Sequence, residues 1–187
     1  MKRRQVKIIV LCEDDAHESF ITSYLSNCGY NANKFRVNKP SSGSGKEFVR
    51  KEYPNEVLAF RGYRRKNQSQ TISLVVLIDQ DTPSQPDSYL DLENRLVSSG
   101  QAKRDNNEPI AIFSPKRNIE TWVYHLVDLS KPVDEITDYS ASKCGITNKM
   151  CRQAGKLFGS LFWDLPLTTI NLPSLAIAVD ERQRIPQ

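Results

Sequence analysis

The sequence predicts an α/β protein with a mainly parallel central sheet, helices on both faces and a short helical C-terminal extension. Three observations predict it. Apolar, β-branched runs stand at 5–12, 71–79 and 109–115, and they are near-continuous rather than alternating, as strands buried on both faces read. Segments with apolar residues at helical spacing follow each run. Strand and helix therefore alternate along the chain, and that order is satisfied by a parallel sheet covered on two sides. At 187 residues the chain is long enough to bury a core without disulfides or metal staples.

The elements follow in order. QVKIIVLC (5–12) reads as a strand feeding DAHESFITSYLSNCG (15–29), where Phe20, Ile21, Tyr24, Leu25 and Cys28 recur at helical spacing and Gly29 is a natural stop. KFRVNK (34–39) is a short strand and PSSGSG (40–45) a loop. Residues 46–66 read as helical except at Pro54, which is expected to divide the segment or to begin a second helix, and RGYRRKNQSQ at its end reads as an exposed basic loop. TISLVVLID (71–79) is the clearest buried strand, followed by a turn at DTPSQP and a helix at 87–100 closed by Gly100. QAKRDNNE reads as a solvated loop, PIAIFSP (109–115) as a strand, and NIETWVYHLVDL (118–129) as a helix with Asn118 as N-cap. Helices are expected within 147–162 and 173–184. The expected division is an α/β domain at 1–130 and a helical extension at 131–187 packed on it.

Composition narrows the function classes without choosing one. A net charge of +4 is compatible with nucleic acid and far from diagnostic. The basic start followed by Val6–Cys12 imitates a secretory signal, but the apolar run is short and interrupted by Lys7. No stretch approaches the ~20 apolar residues of a membrane span. Cys12, Cys28, Cys144 and Cys151 form no CxxC pair, so the expectation is reduced thiols in a cytoplasmic protein, without a zinc site.

The chemistry gathers where strands end. In parallel sheets ligands collect beyond the carboxyl ends of the strands. LVVLIDQDT (74–82) runs a buried strand into Asp79 and Asp81, and LCEDD ends the first strand in Glu13. Hard oxygen donors converging on one rim suit Mg²⁺ or Mn²⁺, which bind phosphate oxygens and help generate a hydroxide nucleophile. The alternative is a solvated turn opened by Asp81 before Thr82-Pro83.

A strand ending in Glu, followed by a later strand ending in DxD, resembles the Toprim domain, most nearly the OLD and RloB-like small Toprim proteins of bacterial defence loci. VLCEDDAHESF matches the first motif, with Glu13 as its glutamate, Glu18 as the second acidic position and Phe20 as the aromatic. SPKRNIETWVYHL resembles the segment in which a proline precedes a Glu-x-Trp helix, placing Glu120 near the rim. The resemblance spans roughly residues 5–127, and Asp14 stands where the family has glycine. It implies Mg²⁺- or Mn²⁺-dependent phosphodiester cleavage of DNA or RNA in antiviral defence, alongside a separate ATPase. Glu13, Asp79, Asp81 and Glu120 would be the metal residues and Lys116 would contact phosphate. A non-catalytic Toprim-like binding or docking subunit is the alternative, and another metal-dependent phosphotransfer is a third reading.

SSGSGKEF is not a P-loop, because Pro40 occupies the first glycine position and Glu47 follows Lys46. Lys46 could still contact a nucleic-acid phosphate. Arg61, Arg64 and Arg65, interleaved with Tyr63, are candidate nucleic-acid contacts, as is Arg117 beside Lys116 on an otherwise acidic rim. His17 reads as a surface residue of the first helical turn, with a base or metal neighbour as the alternative. His125 is expected to be structural, and Trp122 and Trp163 to lie in the core.

Overall fold

A computed structural model describes residues 4–81, 87–161 and 171–186. Thr82-Pro83 and Trp163 lie outside the described residues. The sheet has four strands, β1 (Lys7–Cys12), β2 (Phe35–Asn38), β3 (Ile72–Leu77) and β4 (Ile110–Phe113), all parallel and ordered β2-β1-β3-β4. The helices are α1 (Asp15–Asn27), α2 (Gly45–Lys66), α3 (Ser88–Ser98), α4 (Ile119–Val127), α5 (Ala141–Cys144), α6 (Asn148–Leu161) and α7 (Pro173–Glu181). The α/β class expected from the sequence is what the chain adopts.

Alternation along each strand divides the core in two. Ile8, Val10, Cys12, Val75 and Leu77 face α1, α4 and α6, where Phe20, Trp122 and Phe158 meet with ring centroids 5.8–6.3 Å apart. Ile9, Leu11, Leu74, Val76 and Ile78 face α2 and α3. The segment beyond residue 130 is part of this core. Ala154 and Phe158 of α6 are fully buried, and a Cβ on Gly155 would stand 2.1 Å from the Phe20 carbonyl oxygen, so α6 lies directly on the α1 backbone.

Pro54 does not divide α2, which runs as one helix of 22 residues. An internal proline costs about 3 kcal/mol. Val49, Tyr53, Val57 and Phe60 sit on both sides of it and are completely buried against the sheet. At about 1.5–3 kcal/mol for each large apolar side chain, that burial outweighs the break. The consequence is positional: α2 spans about 33 Å at 1.5 Å per residue, starting beside Glu13 and ending near the amino edge of the sheet. RGYRRK is therefore the end of a helix rather than a loop.

QAKRDNNE is the largely exposed loop the sequence predicts, except at Arg104. Arg104 is buried and its guanidinium donates to Glu93 Oε1 (2.6 Å), Glu181 Oε2 (2.8 Å) and the Ile110 carbonyl (2.7 Å). Glu181 Oε2 also accepts from the Ile112 N–H at 2.8 Å, so α7 covers the open edge of β4 that would otherwise expose unpaired backbone groups. No helix among the described residues is long and apolar enough to cross a membrane.

Candidate metal centre

The strand order reverses direction between β1 and β3: β1 leads outward to β2 on one side, and β3 leads to β4 on the other. At such a switch point the connections leave in opposite directions and open a crevice beyond the strand ends. Glu13 follows β1 and Asp79 follows β3, so the two acids straddle that crevice. The Asp79 N–H donates to Glu13 Oε1 at 2.6 Å. Burial and the neighbouring Asp79 charge push Glu13 up to about 7.

His17 completes the pair. The sequence suggested a surface residue, but His17 is fully buried, and its Nε2 lies 2.9 Å from Asp79 Oδ1. Burial alone would lower its pKa, yet the Asp79 carboxylate outweighs this and raises it to about 9. Burial, with Asp14 and Asp81 adding to it, raises Asp79, and His17 opposes that rise. Among the described residues, Glu13, His17 and Asp79 form a group whose ligand atoms all lie within 4.8 Å of one another, and that group could hold a metal ion.

Asp14 is the N-cap of α1: its Oδ1 accepts the His17 N–H at 2.9 Å and lies 3.6 Å from His17 Nδ1. Its φ of −159° is extended backbone, which needs no glycine. The glycine the local packing does need is Gly45. A Cβ there would stand 2.5 Å from the Glu13 carbonyl oxygen, so the start of α2 rests on the Glu13 backbone. That contact aims Lys46, itself buried, at the rim, where its Nζ lies 2.6 Å from Asp81 Oδ2.

The predicted residues are thus sorted. Glu13 and Asp79 are brought together. Asp81 stays on the same rim but is held by Lys46. Glu120 shares the wall of an adjoining hollow of about 570 Å³ with Glu13, Asp14 and Ser41, and burial raises its pKa. Lys116 and Arg117 were expected to offset the acidity, but neither makes an ion pair among the described residues. The Lys116 N–H donates to Ser174 Oγ at 3.3 Å, and the Arg117 carbonyl accepts the Asp81 N–H at 2.8 Å. The compensating cations are His17, Lys46 and Lys39, the last paired with Asp15 and with Glu18 at 2.6 Å.

Asp81 and Arg117 both hold left-handed backbone, with φ of 55° and 70°. Such conformations cost roughly 1–3 kcal/mol for residues other than glycine. The hydrogen bond between their backbones, with that from the Gln80 N–H to the Pro115 carbonyl at 2.9 Å, keeps the β3 and β4 exits side by side past the sheet.

Arg61, Arg64 and Arg65 are not at this rim. They lie at the far end of α2, and Arg61 is spent on a double hydrogen bond to Glu108 (2.7 and 2.8 Å) and on the carbonyls of Ala102 and Lys103. No family model, curated protein or solved structure among those compared matches the chain.

Proposed function

We propose that the chain is a divalent-metal-dependent nuclease of Toprim-like type, cleaving phosphodiester bonds in DNA or RNA. The observation that carries the reading is the meeting of Glu13, His17 and Asp79 at the switch point of a parallel sheet, from elements 66 residues apart in sequence. Two carboxylate oxygens and an imidazole nitrogen are a donor set suited to Mn²⁺, with Mg²⁺ the weaker fit because it prefers oxygen alone. A bound cation would polarise a phosphoryl oxygen and lower the pKa of a bound water.

The chain's own residues would do the rest. Asp14 caps α1 and fixes His17, and His17 orients the Asp79 carboxylate. Lys46 holds Asp81 until an anionic substrate competes for its ammonium group. Glu120, on the wall of the adjoining hollow, would help bind a second metal or position water. By the Toprim resemblance, the setting would be antiviral defence with a separate ATPase.

A second reading has its own observation. His17 and Lys46 already neutralise Asp79 and Asp81 from within, as suits a nucleic-acid-binding or docking subunit that performs no chemistry.

The test compares wild type with Asp79→Ala/Asp81→Ala on plasmid, single-stranded DNA and tRNA, with Mn²⁺ and Mg²⁺, beside calorimetric titration of each metal. Metal-dependent cleavage lost in the variant supports the nuclease. Metal bound by neither protein, with no cleavage, leaves the docking subunit.

A further inference from the structure

The edge of the sheet opposite the acidic rim carries the charge that the rim lacks. Beneath the starts of β1, β2 and β3 lies a hollow of about 800 Å³ lined by Arg4, Lys7, Lys34 and Arg36, with no acidic residue on its wall. It shares Gln70 and Thr71 with a second hollow of about 380 Å³ that reaches Arg64 and Arg184. That one shares Arg64 and Gln68 with a third, of about 530 Å³, which adds Arg61 and Arg65. The three hollows adjoin one another through these shared residues and together make a basic groove along this edge.

Some of its cations are internally matched: Arg36 with Glu56 at 2.5 Å, Arg61 with Glu108, and Arg184 with Glu181 at 3.2 Å. Arg4, Lys7, Lys34, Arg64 and Arg65 make no ion pair among the described residues. Arg4, Lys7 and Arg64 lie instead over the rings of Tyr30, Tyr63 and Phe60, at 5.1, 4.5 and 5.7 Å from the ring centroids. Strands of six residues separate this groove from Glu13 and Asp79 by about 20 Å at ~3.3 Å per residue.

We propose that this basic groove docks a single strand of nucleic acid at a place distinct from the metal rim. Five cations without carboxylate partners supply phosphate contacts, and the backbone of an extended strand has charges to meet them in sequence. The wall of the first hollow is polar and aromatic rather than acidic: Asn33, Gln70 and Ser69 offer hydrogen bonds, and Phe35 offers a ring for stacking, while Glu108 on the wall of the third is held by Arg61. The two poles are complementary in use, because an acidic rim repels a polyanion and a basic edge gathers it. The choice of a nucleic acid rests on the reading of the rim as a nuclease site, but docking calls on none of that site's chemistry.

The experiment is fluorescence anisotropy of a labelled single-stranded oligonucleotide with the full chain, in chelator so that no metal chemistry contributes. Wild type, Lys34→Glu/Arg64→Glu and Asp79→Ala/Asp81→Ala are compared, with circular dichroism confirming that each is folded. Lys34 and Arg64 are exposed, so the reversal buries no charge, and the circular dichroism control covers the loss of the Arg64 contact with the Phe60 ring. The charge-reversed variant is expected to bind at least about tenfold more weakly, while the aspartate variant, relieved of repulsion at the rim, binds at least as tightly as wild type. For wild type the slope of log affinity against log salt is expected at roughly −3 to −4, at about 0.7 per phosphate contact. Unchanged affinity in the reversed variant, or loss in the aspartate variant, overturns the proposal. So does equal competition by polyglutamate, which would identify the groove as a surface for an acidic protein. Binding in chelator without cleavage in metal would fail the nuclease and leave the groove standing.

Discussion

His17 Nε2 lies 2.9 Å from Asp79 Oδ1, and the imidazole is entirely shielded from solvent. The pair joins α1 to the end of β3 and makes the stability of the rim a function of pH. His17 is raised from 6.5 to about 9 in the folded chain, with burial opposing and Asp79 driving the rise. A raised pKa means that the folded state holds the proton more tightly. The contribution is therefore complete below pH 6.5 and fades as the pH climbs through 9. Glu13, raised from 4.5 to about 7 chiefly by burial, fades in the same sense at lower pH. We expect wild type without metal to lose on the order of 2 kcal/mol between pH 6.5 and 9, or about 4–8 °C in melting temperature. His17→Gln should be clearly less stable than wild type at pH 6.5 and fall less steeply, so that the two curves converge toward pH 9, with Glu13 supplying the slope that remains. Parallel melting curves for the two proteins would show that the pair has no such role.

The same protons set the metal affinity. A carboxylate or imidazole must be deprotonated to coordinate. Above pH 7 Glu13 has shed its proton, but His17 has not. If the imidazole nitrogen enters the coordination sphere, Mn²⁺ affinity should rise about tenfold per pH unit between 7 and 8.5, with one proton released per ion bound. Calorimetry in buffers of different ionisation enthalpy counts that proton. A flat affinity in this range would restrict His17 to holding Asp79, leaving the carboxylates as ligands.

Lys46 competes with any cation for Asp81. Its Nζ sits 2.6 Å from Asp81 Oδ2, and the side chain is buried along the start of α2. Lys46→Met keeps the apolar stem and removes the charge. Mn²⁺ should then bind about 3–10-fold more tightly, corresponding to about 0.6–1.4 kcal/mol. Nucleic-acid cleavage should nevertheless fall, because the ammonium that would meet the phosphate is gone. Unchanged Mn²⁺ affinity would place Asp81 outside the reach of the ion.

How legible this was depended on which periodicity carried each residue. Glu13 and Asp79 could be read from the sequence because the end of a parallel strand is a topological address. The burial of His17 and the pairing of Lys46 with Asp81 went unread for one shared reason. His17 extends the stripe of Phe20, Ile21 and Tyr24 back by one turn, and Lys46 does the same for Val49, Tyr53 and Val57. Both occupy buried positions of amphipathic helices, but a polar residue on an apolar stripe is readily discounted. The basic cluster at 61–66 could be given no edge of the sheet, because Pro54 was expected to divide the segment or begin a second helix. A continuous α2 carries those residues the full height of the sheet. The role of Arg104 had no local signal, since its partners lie on α3, β4 and α7 and only the folded chain brings them together.

That last arrangement makes the strongest claim on stability. Arg104 bridges Glu93 and Glu181, and all three side chains are buried. Its guanidinium also lies over the Tyr89 ring at 4.5 Å from the centroid. Removing it leaves the Glu93 carboxylate buried without its cation and Glu181 with Arg184 alone, still bound to the Ile112 N–H at the sheet edge. Arg104→Met should therefore cost about 3–5 kcal/mol, the range for breaking a buried ion pair from one side. Adding Glu93→Leu removes one stranded charge and should recover part of the loss, while Glu181 stays to satisfy β4. Chemical denaturation of the single and double variants measures both steps. A double variant no more stable than Arg104→Met would mean that the stranded Glu93 charge was not the source of the cost. Packing against Tyr89 and the Ile110 carbonyl would then be what Arg104 contributes.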